Sequence, residues 1–278
     1  MPVDRVKPLI EWATKRLKAV DCETPHLDAR LLFQHAAQRS REDIILNPGS
    51  DVPLEDAGRF RKLIARREAH EPVSRILGEG EFYGRLFQVT PAVLDPRPDT
   101  ETLIDAALGF IGAQARILDL GTGTGAIAVT LLAERADATG LATDVSSAAL
   151  AVAQVNAGRH GVAPRLNFVE GNWFEPVTDQ FDLIVSNPPY IPADGIAKLE
   201  PDVRDFDPLL ALSGGADGLD PYRAIAAGAS LHLGVEGHVL VEIGAGQADA
   251  VEAIFIPYFT PVGRFVDLGG HVRCLAFR

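Results

Sequence analysis

The sequence predicts an α/β protein: a doubly wound, mostly parallel sheet with an antiparallel C-terminal hairpin, preceded by a small helical bundle. Three observations carry this prediction. Apolar residues up to about position 77 recur at helical spacing; short apolar strands alternate with helical stretches from Arg116 onward; and the last two strands are separated by little more than Gly269-Gly270.

Residues 1–77 form the helical part. Val6, Leu9, Ile10, Ala13, Leu17 and Val20 share one face of a first helix. A second begins after Thr24-Pro25, and Ser40-Arg41-Glu42-Asp43 reads as an N-cap with acidic first-turn residues. Leu54 to Glu71 is a further helix with Phe60, Leu63 and Ile64 as its stripe. Residues 78–98 change character. Glu81 to Val89 is aromatic, β-branched and broken by Gly84, as a hairpin would be. The two prolines of Asp95-Pro96-Arg97-Pro98-Asp99 suit a linker, and Asp99 or Thr100 is expected to cap a helix from Glu101 to Ile111.

Residues 99–278 carry the sheet. Ile117 to Leu120 leads through a glycine loop into a helix ending near Leu132, and Gly140 to Asp144 leads into a helix from Ser146 to Ala157. Leu166 to Val169, Asp182 to Val185 and His238 to Ile243 are further strands, and Gln247 to Ile256 a helix. Phe265-Val266-Asp267 and His271 to Phe277 leave no room for a crossover helix, so they pair antiparallel.

Composition bounds the function. Hydrophobic residues make up 47% of 278 and charged ones 23%, an ordinary globular mix. No apolar run approaches the roughly 18–20 residues that cross a bilayer. The first twelve residues do not read as a secretory signal, and a cytoplasmic protein is the simplest expectation. Cys22 and Cys274 form no thiolate motif and the seven histidines show no ligand spacing, so no metal is expected. The net charge of -12 is uneven: residues 1–80 hold 14 basic and 13 acidic side chains, the remainder 12 and 25. So acidic a sheet domain repels phosphate backbones, which makes nucleic acid a poor default substrate. Arg59, Arg61, Lys62, Arg66 and Arg67 read as a solvated helix face or as a patch for an acidic partner.

Three sites carry chemistry. Gly121, Thr122, Gly123, Thr124 and Gly125 follow the first sheet strand, where a backbone without side chains can lie against a ligand at a helix N-terminus. With Ala126 the spacing also satisfies a dinucleotide fingerprint. Asp144 ends the next strand, where a carboxylate accepts hydrogen bonds from a ribose diol, or simply begins the helix. Neither feature separates a nicotinamide cofactor from S-adenosylmethionine. Ser186-Asn187-Pro188-Pro189-Tyr190 makes that choice. Its prolines stiffen the backbone and leave carbonyls free, Asn187 adds an acceptor, and Tyr190 an aromatic face. Such a slot grips a planar NH2 group by its two hydrogens.

With these motifs the chain resembles S-adenosylmethionine-dependent methyltransferases of planar nitrogens, and in particular the bacterial release factor glutamine methyltransferases (the PrmC/HemK family). The matching blocks are Phe82-Tyr83-Gly84, Pro96 to Glu101, Asp119 to Ala128, Asp144-Val145-Ser146 with Asn156, and Ser186 to Ile191. Glu200-Pro201, Gly214 to Leu219 with Tyr222-Arg223, and Glu242-Ile243-Gly244 follow. Asp95 and Asp207 depart from the usual aliphatic residue and glutamate. The resemblance implies a class I, Rossmann-like methyltransferase fold with S-adenosyl-L-methionine as cofactor. It also implies a docking role for residues 1–77 and, as substrate, the glutamine of a Gly-Gly-Gln motif in peptide chain release factors. Gly121 to Gly125 would wrap the methionine and ribose, Asp144 the ribose hydroxyls, and Trp173 would lie beside the adenine, although a core aromatic reads as well there. Asn187 and the Pro188 carbonyl would hold the amide, with Pro189 and Tyr190 shaping the slot. The expected enzyme is a monomer. The alternative is a DNA or RNA adenine-N6 methyltransferase, disfavoured by the acidic domain; an inactive cofactor-binding module and a nicotinamide dehydrogenase leave the Asn187 slot unexplained.

Overall fold

The computed structural model describes residues 4–278, in two units, Met1–Gly80 and Glu81–Arg278. In the first unit β1 (Asp4–Arg5) leads into α1 (Val6–Lys18), then α2 (Pro25–Ala37), α3 (Arg41–Leu46), β2 (Asp51–Val52), α4 (Leu54–Glu68) and α5 (Val73–Leu77). β1 pairs antiparallel with β2. Val6, Leu9, Ala13 and Leu17 of α1 are buried against Leu32, Phe33, Phe60 and Ile64, with the Phe33 and Phe60 rings edge to face at 5.3 Å. The Ser40 hydroxyl accepts the Asp43 N–H and caps α3. α4 stops at Glu68 rather than Glu71, because His70 takes a left-handed backbone and Pro72 starts the next element. The basic run on α4 is largely spent within the unit: Arg59 pairs with Glu55 and Asp56, Arg61 with Asp4, Arg66 with Glu71, and Arg67 with buried Asp28.

β3 (Glu79–Phe82) and β4 (Arg85–Gln88) form the expected hairpin, turning at Tyr83 and Gly84 with positive φ at both. A 3₁₀ turn, Pro98–Thr100, runs into α6 (Glu101–Leu108). Thr100 stands at the cap position, yet its side chain makes no cap bond. The turn already supplies the backbone bonding, and the hydroxyl is left for the site described below. There follow β5 (Arg116–Leu120), α7 (Ala126–Glu134), β6 (Thr139–Asp144), α8 (Ser147–Arg159), β7 (Leu166–Glu170) and β8 (Phe181–Ser186). The chain closes with α9 (Pro201–Arg204), α10 (Leu209–Leu212), α11 (Asp220–His232), β9 (Leu233–Glu242), α12 (Ala248–Phe255), β10 (Pro261–Val266) and β11 (Val272–Phe277).

The seven-stranded sheet has the order β7-β6-β5-β8-β9-β11-β10. All neighbours from β7 to β9 are parallel, and β11 is antiparallel to both β9 and β10. The C-terminal hairpin is therefore folded in, with its reversed strand inside the sheet and β10 at the edge. Period-two alternation builds two cores. Ile117, Leu183, Val185 and Leu240 face α6 and α7, whereas Leu118, Ile184, Val239 and Val241 face α11 and α12.

Sequence periodicity alone missed α11. Its inner face mixes Tyr222 and Ile225 with the small Ala226 and Ala229, and at Gly228 the Phe174 ring lies where a Cβ would come within 2.2 Å. The order reverses at β5 and β8, whose carboxyl ends flank the crevice where open α/β sheets bind ligands.

Candidate active site

One cavity of about 1060 Å³ opens over the carboxyl ends of β5, β6 and β8. That exceeds the roughly 300–1,000 Å³ usual for a single small ligand and suits two reactants side by side. Its glycine rim is held by backbone bonds. The Gly121 and Thr122 N–H groups both donate to the Thr143 carbonyl, at 2.9 and 3.0 Å. Gly121, Gly123 and Gly125 all take positive φ, and a Cβ on Gly123 would meet no atom within 4 Å because it would project into open space. Asp144 lines the cavity with Oδ2 accepting the Gly123 N–H and Oδ1 the Ser146 N–H, both at 2.9 Å. Ser146 in turn caps α8, so the carboxylate is not needed as the cap. Buried Asn156 ties this rim to β4: its Nδ2 donates to the Thr124 carbonyl (2.8 Å) and its Oδ1 accepts the Gln88 N–H (2.7 Å).

Trp173 both lines the cavity, 3.8 Å from where a Gly121 Cβ would sit, and packs half-buried against the core beneath β5 and β8. Its φ of 48° is a strained backbone for a tryptophan, a cost of about 1–3 kcal/mol that concentrates at functional sites.

Across the crevice, Ser186 is buried and its hydroxyl donates to the Leu120 carbonyl, fastening β8 to β5 just before the motif. Asn187 and Pro189 line the cavity. Pro188 and Tyr190 do not: Pro188 is buried, and the Tyr190 ring packs into the core, where burial and nearby Glu242 push its phenol up to about 12. The segment that follows is zipped to the 212–215 strip, with the Ile191 N–H donating to Leu212 and the Gly214 N–H to Ile191. Gly214 permits that approach, since a Cβ there would lie 2.8 Å from the Pro189 carbonyl.

Sequence reading missed the support behind Asn187. Its Nδ2 donates to the hydroxyl of Thr100, 87 residues away, at 3.1 Å. Behind both lies Glu242 at the end of β9, 2% exposed. Burial raises its carboxyl to about 7, against hydrogen bonds from Thr100 and Asn187 that favour the charged form. Arg97 also lines the cavity and donates to the fully buried Asp207 carboxylate at 2.6 Å. Glu101 faces elsewhere and accepts the Tyr83 N–H of the hairpin turn. Among the described residues no cluster of three or more His, Cys, Asp or Glu has metal-binding geometry, and no helix is long and apolar enough to cross a membrane.

Residues 8–78 match the model of the PrmC N-terminal domain and residues 100–198 that of the methyltransferase small domain. A release factor glutamine methyltransferase of Cereibacter sphaeroides is 51% identical over 99% of this chain and 98% of its own length. One from Agrobacterium fabrum is 45% identical over 96% and 94%. The chain belongs to the release factor glutamine methyltransferase family. Solved structures agree on the fold: a methyltransferase from Pyrococcus furiosus (19% identity, 70% of this chain and 89% of that one, TM-score 0.54) and the hMettl16 catalytic domain in complex with a MAT2A 3'UTR hairpin (19%, 82% and 84%, TM-score 0.57).

The protein is thus a class I methyltransferase, and the cofactor of its family is S-adenosylmethionine. The residues present fit that group. The Gly123 position leaves a cradle that any side chain would fill, and each Asp144 oxygen, bonded once by a backbone N–H, keeps a lone pair for a hydroxyl.

Proposed function

We propose that the protein methylates the side-chain amide nitrogen of the glutamine in the Gly-Gly-Gln motif of release factors, with Asn187 as the residue that grips that amide. One observation carries the assignment: Asn187 faces the cavity from the rim opposite the glycine loop, and its Nδ2 is already given to Thr100, so Oδ1 is the atom left to accept. Gly121 to Gly125 and Asp144 hold the methionine and ribose of the cofactor, and Trp173 flanks its adenine. Bound there, S-adenosylmethionine supplies an electrophilic methyl group.

The chain's own task is orientation. An amide nitrogen is a poor nucleophile because its lone pair is delocalised into the carbonyl. Asn187 Oδ1 accepts one N–H of the amide, which orients the group and aims its nitrogen lone pair, whereas Pro188, the second acceptor that the sequence offered, stands outside the cavity lining. Pro189 forms the wall of the slot, and Tyr190 supports it from the core. The proton lost from nitrogen passes to water, so no strong base is assigned. Leu209 and Leu210, 62% and 60% exposed at the cavity edge, offer an apolar landing for the main chain of the partner. The N-terminal unit supplies docking, since three residues of a loop bury too little surface for a specific protein complex. The same reading makes the enzyme a cytoplasmic monomer with no nucleic-acid substrate.

The test is transfer of labelled methyl from S-adenosylmethionine to release factor, to a factor whose motif glutamine is alanine, and to adenine-containing DNA and RNA. Label is expected on the intact factor alone. Asn187→Ala is expected to slow transfer by about 10²–10³-fold, the cost of removing one transition-state hydrogen-bonding group. Label on nucleic acid, or an Asn187→Ala enzyme at full rate, would overturn the assignment.

A further inference from the structure

We infer that Glu242 is a positioning residue for methyl transfer: its carboxylate, with Thr100, fixes the amide of Asn187 so that Oδ1 faces the cavity, and strengthens that oxygen as an acceptor. The inference rests on the reading that Asn187 holds the substrate amide.

The geometry begins in the sheet. Ser186 pairs with Val241 in parallel register, so the chain continues into Asn187 on one strand and Glu242 on the next at the same level. The Glu242 backbone is locked from two other sides, by pairing with Cys274 on β11 and by the Tyr222 hydroxyl of α11, which donates to its carbonyl at 2.9 Å. A buried strand position on a parallel sheet ordinarily holds an apolar side chain. Here it holds a carboxyl with Oε2 unpartnered. A carboxyl buried without full pairing destabilises the fold, and such strain is retained at functional sites.

The network explains what the carboxylate does there. An asparagine amide has two nearly isosteric orientations, and a threonine hydroxyl tolerates both because it can donate or accept. A carboxylate does not: ionised, it only accepts. With Thr100 donating toward Glu242, the hydroxyl has a lone pair for Asn187 Nδ2, and a flipped Asn187 would set Oδ1 against the negative charge. Glu242 therefore forbids the flip. Donating both Nδ2 hydrogens toward an anionic network also shifts amide electron density onto Oδ1, where a substrate N–H binds.

Charge is what distinguishes this role from packing. Burial raises the carboxyl to about 7, Asp99 on a facing segment raises it further, and Arg273 of β11 lowers it. Arg273 is itself engaged by Asp99 at 3.0 Å and Asp267 at 2.9 Å, so it does not neutralise Glu242 outright. Protonation would give Glu242 a hydrogen to donate, release the constraint on Thr100, and let Asn187 turn.

The experiment is single-turnover methylation of release factor by the full-length enzyme across about pH 6–9, with Glu242→Gln, Glu242→Asp and Asn187→Ala compared. Cofactor affinity is measured by titration calorimetry. The wild type is expected to lose rate as pH falls through about 7. Glu242→Gln, which keeps volume and removes charge, is expected to be about tenfold slower at high pH, the difference between a charged and a neutral hydrogen-bond partner. It should lose the acid limb and bind S-adenosylmethionine as the wild type does. Glu242→Asp should recover part of the rate and the acid limb. A Glu242→Gln enzyme with wild-type rate and an unchanged limb overturns the inference while Asn187→Ala remains slow; full activity of Asn187→Ala overturns it together with the assignment beneath it.

Discussion

The two rims of the cavity rest on the same device, a buried strand carboxyl, assembled in opposite ways. Asp119 on β5 stands behind the glycine loop and takes local partners, the Thr122 hydroxyl at 2.7 Å and the Ala128 N–H at 3.3 Å. Glu242 on β9 stands behind Asn187 and takes partners from Thr100 and Asn187, brought by two other elements. Burial raises both, Asp119 to about 6 and Glu242 to about 7, and each keeps one oxygen without a partner. A locally closed network stiffens a loop by itself. One closed through the fold makes the orientation of a single side chain depend on three segments arriving together.

Breaking each rim should therefore give different kinetic signatures. Asp144→Ala removes the carboxylate of the glycine rim and the acceptors of two backbone N–H groups. Hydrogen bonds to a charged group are worth about 1.5–3 kcal/mol, so S-adenosylmethionine affinity should fall by roughly 10–100-fold in calorimetry. Release factor binding should not change; equal losses for both ligands would mean that Asp144 supports the whole cavity. Thr100→Val touches the other rim alone. It keeps the shape and removes the hydroxyl that Asn187 donates to, a neutral bond of about 0.5–1.5 kcal/mol, and should slow single-turnover transfer by roughly threefold to tenfold. Cofactor affinity should stay within about twofold, inside the effect of one weak neutral bond. A shift in cofactor affinity with an unchanged rate would break the comparison.

The same difference explains how much was legible before the fold was known. The sheet, the glycine loop, Asp144 and the Asn187 motif each declare themselves within about ten residues, because strand, turn and helix start are local events. Thr100 was legible only as a helix cap; the 3₁₀ turn before α6 does that work and releases the hydroxyl. Glu242 sits in an apolar run that reads as a buried strand, where a lone carboxylate carries no local signal of its partners. The Arg97–Asp207 pair spans 110 residues and is equally silent in sequence. Tyr190 was legible as part of the motif but not as a core residue, since whether its ring faces the slot or the interior depends on Gly244 and the α11 side of the sheet.

The smallest effect separates the rims by stability alone. Both carboxyls have folded-state pKa values above their unfolded ones, so the native protein binds more protons than the unfolded chain between about pH 4 and 7. Their contribution is fully present below about pH 4 and lost as pH rises through about 6 for Asp119 and 7 for Glu242. Exposed Asp217, held down to about 2 by Arg223, and Asp267, held down by Arg273, act in the opposite sense and in a lower window. At about 1.4 kcal/mol per pKa unit, each buried carboxyl costs up to roughly 3 kcal/mol when ionised. Urea unfolding of the second unit, followed by Trp173 emission in a Trp12→Phe background, should show stability declining from about pH 4 to 7. Asp119→Asn should reduce the decline up to about pH 6, and Glu242→Gln should reduce it throughout and remove the part that continues to about pH 7. Because Asp119 is bonded within its own loop, its amide variant should also loosen the Thr122 and Ala128 contacts and recover less than the full amount. If both variants keep the wild-type slope, the two carboxyls are not the buried charges that distinguish the rims.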